Sequence, residues 1–450
     1  MRPFSQRHLP ILLLVLAAGC GGSSPFSRWA PARSAHETYA ASLASAGLDT
    51  SAAGAAWLAS ARKALDAPQQ VSLPFHETGY FDPAVPSAAG YRVELPRGRV
   101  LTASVTIESA QPGQLFIDLF RVTEGAPERV LSVDAGGAGL RYVSRADGAY
   151  IVRVQPELLR GGRYTIVQRT EASLRFPVDR AGDRDVQSVF GDARDGGRRD
   201  HHGVDIFAPR GTPVLAGAAG IVRSVDTTAI GGRVIWLSDT ENGQSLYYAH
   251  LHDWAAREGQ TVKAGDVIGY VGNTGNASST APHLHFGIYR GGPIDPLPSI
   301  RSSDRDPARP SGAVALIGRL GRLRIPAPLR PLSGAAGGTP GALPAMTAVQ
   351  VTAATGGVFK VSLPDGREGF VDARSVVAAD APLRPMRAGA AADLREGPSP
   401  EAVVITRIAA GTRLPVLAEF SGYLLVETPE GRRGWLPPGS LIRTGAPPSD

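Results

Sequence analysis

Six of the nine histidines in this 450-residue chain lie between positions 201 and 285: His201, His202, His250, His252, His283 and His285. Imidazole is the commonest metal ligand and the usual proton acceptor near neutral pH. Such clustering points to a metal or acid–base centre within one short stretch. Three local patterns carry the histidines. In HHGVDIFAP, residues Val204 to Phe207 read as a strand. On a regular strand His201 and Asp205 face the same way, but at ~3.3 Å per residue they stand roughly 13 Å apart. One metal takes both only if the chain folds back between them, and Gly203 permits that bend. The rival ligand is His202, which on a regular strand points away from Asp205. In APHLHFGIY, His283 and His285 share one strand face, ~6.6 Å apart by the same rise, while Leu284, Phe286 and Ile288 face a core. That spacing lets one histidine bind a metal while the other stands over the bound water. In YYAHLHDW a strand delivers His250, and His252 falls at the strand end as a rim residue.

In chain order these patterns resemble the LytM/lysostaphin-type zinc metallopeptidases, with His-x-x-x-Asp at His201/Asp205, Tyr-x-His-Leu at Tyr248 to Leu251, and His-x-His at His283/His285. Three further segments match: SVFGDAR from Ser188, GTPVLAGAAGIV from Gly211 and GQTVKAGDVIGYVGNTG from Gly259. The resemblance implies an antiparallel-β peptidase domain over residues 178–300, with Zn²⁺ held by His201, Asp205 and His285 and a water in the fourth position. It implies His250 and His283 as the catalytic pair, one handling the water and the other the oxyanion or the leaving amine, without assigning which does which. The implied substrate is the peptide part of peptidoglycan, and a direct D-Ala–diaminopimelate cross-link is preferred over a glycine bridge. Glycine-rich AIGGR and NTGNASST would wall the groove. A LytM-type non-catalytic activator of a cell-wall amidase is the alternative. Such proteins characteristically lose metal ligands, and all of them are present here.

The elements that must position this centre are expected to be mainly β, in several domains. Residues 34–68 read as a short alanine-rich helical hairpin broken near Gly47 to Asp49, with Tyr39, Leu43, Trp57, Leu58 and Leu65 on its apolar side. From 69 to 172 the period switches to two: Tyr91, Val93 and Leu95 share a face, as do Tyr150, Val152 and Val154. That pattern predicts a β-sandwich, resembling the pre-peptidase modules of secreted bacterial proteases, with a hairpin at Ala146-Asp147-Gly148. The C-terminal region contains a repeat: FKVSLPDGREGFV from Phe359 aligns with LLVETPEGRRGWL from Leu424. With LREGPSP from Leu394 it resembles bacterial SH3-like domains, predicting two small barrels over 313–380 and 385–445 that would pack on the catalytic domain or bind the wall. The first copy lacks a clear counterpart of the Leu-Arg-x-Gly-Pro segment.

The N-terminus indicates the compartment. Arg2 and Arg7 precede an apolar run from Leu9 to Ala18, then Gly19 and Cys20. Residues 1–19 read as a secretory signal, too short for the about 20 apolar residues a bilayer span needs. LAAGC resembles a lipobox, with Ala17 where leucine is usual, so Cys20 is the expected lipidation site and 20–33 a tether. Lipid chains there would hold the protein on a membrane. The Gly21-Gly22 start favours the periplasmic face of a Gram-negative outer membrane. Cys20 is the only cysteine, which excludes disulfides within the chain. Net charge is +6, and all basic residues but Lys63, Lys263 and Lys360 are arginine. There is no dense basic run with interleaved aromatics, which argues against nucleic acid as a partner.

Overall fold

Serine side chains cap the first two helices. In the computed structural model, which describes residues 33–443 except 135, 195, 313 and 334–340, the first elements are the helices Ala35–Ser45 and Ala52–Asp66. The expected signal segment, Cys20 and all but the last residue of the expected tether lie outside the described residues. Ser34 accepts from the Glu37 amide at 3.0 Å while Glu37 accepts from the Ser34 amide at 2.9 Å, a reciprocal cap. Gly47, at φ +68°, turns the chain between the helices. The hairpin docks on the sandwich through an aromatic group: His36 stacks on Trp57 with ring centroids 4.7 Å apart, and Phe116 meets both edge-on. Gln155 joins the two sides. Its Oε1 accepts from His36 Nε2 at 2.7 Å and its Nε2 donates to the Trp57 carbonyl at 2.9 Å.

Two sheets form the sandwich. One contains Gln69–Gln70, Ala89–Leu95, Gly148–Pro156, Leu115–Arg121 and Glu128–Ser132 in that spatial order. The predicted apolar faces meet within it, Tyr91 opposite Val152 and Val93 opposite Tyr150. The other sheet contains Phe75–Phe81, Gly162–Ala172, Arg99–Glu108 and Gly139–Val143. The expected hairpin at Ala146 to Gly148 is a crossover instead, because Gly139–Val143 pairs with Arg99–Glu108 while Gly148–Pro156 joins the opposite sheet. Gly148–Pro156 is buried almost throughout, so it needs a partner on each side, which a terminal hairpin does not supply.

The second sheet does not stop at the sandwich. Glu77 to Gly79 pair with Thr355 to Ala353, so Phe75–Phe81 continues into Ala348–Thr355 and the strands that follow it, making nine strands in all. The first C-terminal unit is therefore built onto the sandwich rather than standing free. The sequence repeat is structural too: Ala348–Thr355, Val358–Ser362, Glu368–Asp372 and Val376–Ala378 recur in the same order as Arg413–Phe420, Tyr423–Glu427, Arg433–Leu436 and Leu441–Arg443. The paired strands Ala327–Pro328 and Ala342–Leu343 occupy the place that Ala392–Arg395 and Val404–Ile408 hold in the second copy. The counterpart missing from the sequence alignment is thus present as backbone.

Between sandwich and repeats lies the histidine-bearing region. One antiparallel sheet orders Val186–Ser188, Val204–Phe207, His283–Tyr289, Gln244–Leu251, Gly232–Asp239, Gly220–Thr228 and Thr261–Val262, with Pro293–Ile294 beside His283–Tyr289. Pro213–Leu215, Val267–Tyr270 and Asp253–Trp254 form a second sheet, and the two enclose a core that includes Val204, Ile206, Leu284, Phe286 and Ile288. The exit from this region is clamped by Arg99. Its guanidinium donates to the Arg301 carbonyl at 2.8 Å and to Thr170 Oγ1 at 2.6 Å, while the Thr170 amide donates to Asp304 at 2.7 Å.

Burial, reinforced by nearby Arg153, lowers the pKa of His36 from 6.5 to about 4. The docked hairpin holds this imidazole neutral, whereas an undocked one takes up a proton. Docking strength is therefore complete above pH 6.5 and declines as pH falls towards about 4. Hydrogen exchange of the Ala35–Asp66 amides, corrected for intrinsic rates, should show weaker protection at pH 5 than at pH 7.5. His36→Phe should remove that difference.

Candidate active site

The sheet brings two of the three patterns into register: Asp205 lies opposite His285, and Phe207 opposite His283. Ala249, one residue before His250, lies on the other side of His285. His201 precedes the strand and reaches the same place through a bend at Gly203. A Cβ at position 203 would stand 2.5 Å from the Phe286 carbonyl and 2.8 Å from the His285 ring, so only glycine lets the chain fold back here. The fold-back turns His201 inward, to 3% exposure. His202 faces out beside Phe190 and is not part of the group that His201 joins.

His201 Nε2, Asp205 Oδ1 and His285 Nδ1 converge. They are separated by 3.0 Å (His201 to Asp205), 2.9 Å (His201 to His285) and 3.0 Å (His285 to Asp205). Three atoms at such separations all lie ~2.0–2.2 Å from a common point, the bond length zinc takes to imidazole and carboxylate. The donor set therefore fits a single metal ion. Outer contacts fix two of the donors. His201 Nδ1–H donates to the Val189 carbonyl at 2.8 Å, which leaves the Nε2 lone pair for the centre. Arg194 donates to Asp205 Oδ2 at 2.6 Å and to Ser188 Oγ at 2.6 Å, turning Oδ1 inward. Burial alone would raise the Asp205 pKa, but hydrogen bonds and charge from His201 and His285 outweigh it and hold the carboxyl well below the usual range. Burial lowers the pKa of His285.

Two more imidazoles stand beside this group. His250 Nδ1–H donates to the Thr274 carbonyl at 2.9 Å, and His283 Nδ1–H to the Ala281 carbonyl at 2.9 Å. Each ring therefore keeps Nε2 free of these bonds, and both rings line the cleft. Their centroids are 5.0 Å apart, and His250 lies 6.0 Å from His285. Burial lowers the pKa of His250 to about 4, so the ring is neutral at neutral pH. Its backbone is left-handed, at φ +63°, and its amide donates to the Gly231 carbonyl at 2.7 Å. Gly232 and Gly275 make this possible: a Cβ on Gly232 would come within 2.4 Å of the Gly275 nitrogen. The two glycine-rich loops thus touch each other, and both line the cleft. His252 is exposed and away from that lining.

The cleft measures about 840 Å³ and, among the described residues, is lined only by positions between 187 and 289. Several of its features escaped the sequence reading. Arg194 sits in the SVFGDAR segment, but nothing local to it reveals Asp205 as its partner. Tyr289 continues the alternation of His283 and His285, which is a signal that could have found it. Trp236 and Tyr247 become neighbours only through strand pairing.

Residues 199–296 match the model for Peptidase family M23, and residues 390–442 match Bacterial SH3 domain. The chain carries an M23 peptidase domain. Its similarity to curated proteins extends to the L-Ala--D-Glu endopeptidase of Bacillus subtilis (strain 168), 38% identical over 143 residues, covering 29% of this chain and 44% of that protein. The DD-carboxypeptidase/endopeptidase Mpg of Neisseria meningitidis serogroup B (strain ATCC BAA-335 / MC58) is 37% identical over 131 residues, covering 27% of this chain and 30% of that protein. Lysostaphin of Staphylococcus simulans is 38% identical over 109 residues, covering 23% of this chain and 22% of that protein. The chain thus spans less than half the length of each of these relatives. Among solved structures, the lysostaphin catalytic domain from Staphylococcus simulans is 35% identical, covering 24% of this chain and 86% of that one, with a TM-score of 0.23.

Removing the arginine behind Asp205 tests the organisation of the M23 site without touching the converging atoms. Arg194→Met should weaken divalent-metal binding about 10–100-fold, measured by competition with a chelating dye. In the same assay His201→Ala should abolish binding and His202→Ala should leave it intact.

Proposed function

We propose that this protein is a zinc-dependent endopeptidase that hydrolyses peptide cross-links of peptidoglycan. One observation carries the reading: three converging His/Asp/His donors stand beside two further imidazoles, His250 and His283, in an open cleft. His201, Asp205 and His285 would hold the zinc, and three protein ligands are the catalytic rather than the structural pattern. When bound, zinc would polarise the scissile carbonyl and lower a water pKa from 15.7 to about 7.

The chain's own residues supply the rest. The Nδ1 bonds to Thr274 and Ala281 orient His250 and His283 so that each Nε2 serves the cleft. One ring takes the proton of the attacking water; the other hydrogen-bonds the developing oxyanion or delivers a proton to the leaving amine. Phe207 stacks on His283 at 5.0 Å and restricts its rotation. The 228–232 and 273–280 loops, joined where the Asn276 amide donates to the Ile230 carbonyl at 3.0 Å, form one continuous stretch of cleft wall along which an extended peptide would run.

The relatives and the sequence support a substrate and an address. The names of similar proteins specify endopeptidases, including a glycyl-glycine endopeptidase of Staphylococcus capitis that is 39% identical over 110 residues. The N-terminal signal and Cys20 support a lipid-anchored envelope protein on the periplasmic face of a Gram-negative outer membrane, where a direct D-Ala–diaminopimelate cross-link is the bond within reach. The bacterial SH3 domain at 390–442 supports wall binding near that bond.

Purified sacculi treated with the soluble mature chain should lose cross-linked dimers and gain monomers on mass analysis of muropeptides. Chelation should abolish the change, and His283→Ala should slow it at least 10²-fold, the scale of a lost acid–base group. Unchanged dimers with metal bound would overturn the reading in favour of an amidase activator.

A further inference from the structure

Beyond His285 the cleft face of the sheet carries three aromatic rings that the proposed chemistry does not use. Trp236 lies opposite Tyr247, and Tyr247 lies opposite Gly287, the residue midway between His285 and Tyr289. Trp236 stands 4.5 Å from Tyr247 and 5.1 Å from Tyr289, and Tyr247 meets the His285 ring at 5.9 Å, all between centroids. All three are half-buried and line the cleft. Tyr289 leans over Gly287, where a Cβ would meet its ring at 3.0 Å, and with Tyr247 and Trp236 it bounds a recess at that end of the cleft, one step along the strands from the row Asp205–His285–Ala249. That step is two residues, about 7 Å. An extended substrate spans it with two residues, so the recess meets a side chain within two positions of the scissile bond.

The shape and polarity of the recess select what fills it. The rings are inclined to one another, Trp236 to Tyr247 at 37° and Trp236 to Tyr289 at 59°, so they make a wedge and not a flat platform for a sugar face. Among the described residues Asp205 is the only carboxylate lining the cleft, and His201, His285 and Arg194 already engage it. None of the described acids lines the recess to hold a cation there. A flexible chain of methylenes packs into such a wedge, removing apolar surface of both partners from water, while any polar end reaches the open rim.

We infer that Trp236, Tyr247 and Tyr289 form a specificity subsite for a long aliphatic side chain flanking the scissile bond, so that the cleft favours diamino-acid stem peptides over glycine-only bridges. The inference rests on the endopeptidase reading for its substrate, but the recess is testable by binding alone. A glycine bridge leaves the wedge filled with water, whereas a diaminopimelate side chain displaces that water.

The experiment uses the full mature chain and two purified muropeptide dimers, one cross-linked directly through diaminopimelate and one through pentaglycine. Calorimetry on the His283→Ala protein gives the affinity of each dimer without turnover. The diaminopimelate dimer should bind at least 10-fold more tightly, and Trp236→Ala in that background should remove the preference while Trp236→Phe keeps most of it. With His283 intact, Trp236→Ala should raise KM for the diaminopimelate dimer about 10-fold, with kcat changed less than 2-fold. Thermal unfolding and metal affinity of Trp236→Ala should match the parent. Equal affinity for both dimers, no binding of either, or an equal loss for both on Trp236→Ala would overturn the subsite. Selective binding without any cleavage by the intact protein would overturn the endopeptidase reading and leave the subsite standing.

Discussion

Three lone-pair-bearing atoms from His201, Asp205 and His285 meet within about one hydrogen-bond length of each other, and much of the histidine-bearing region serves to hold them there. Such a convergence is unfavourable unless a cation or a proton is shared among the donors. The surrounding structure imposes it. Strand pairing sets Asp205 against His285, the Gly203 bend returns His201 to them, and the Val189 carbonyl and Arg194 decide which atom of each group faces inward. The core beneath, with Leu284 and Phe286 fully buried on the opposite face of the same strand, fixes the register. A one-residue slip would exchange core for site along the whole strand.

The centre was legible in the sequence because its parts alternate. A strand carrying His283, His285, Leu284 and Phe286 declares one polar and one apolar face, and the fold keeps both. The Gly203 bend was legible for a similar reason, since a regular strand cannot join His201 to Asp205. The contacts that tune the centre were not legible. Arg194 meets Asp205, and Thr274 meets His250, through loops whose course is set by distant pairing. The left-handed backbone of His250 gives no signal in the sequence, because even histidine, which takes this region more often than most residues, does so only in a minority of cases.

Misread connections have the same origin. Asp147-Gly148 carries the chemistry of a tight turn, and it does turn, but whether a turn closes a hairpin or crosses between sheets depends on partners elsewhere. The C-terminal repeat is legible as a repeat because both copies keep their turn glycines. Its unequal surroundings are not: one copy extends the sandwich sheet through Ala348–Thr355, while the other closes its own seven-stranded sheet.

That shared sheet has a consequence for the order in which the chain matures. Thr355 Oγ1 donates to the His76 carbonyl across 279 positions of sequence, so the Phe75–Phe81 strand exposes an unpaired edge until nearly four-fifths of the polypeptide has been made. The histidine-bearing region, whose own pairings are confined to residues between 178 and 294, completes its sheets before that edge is covered. An uncovered strand edge is a template for wrong pairing, and contacts this distant in sequence form slowly. The metal-ligand group is thus assembled early, on a body that closes last, leaving an interval in which the new chain depends on protection of the sandwich edge rather than of the cleft.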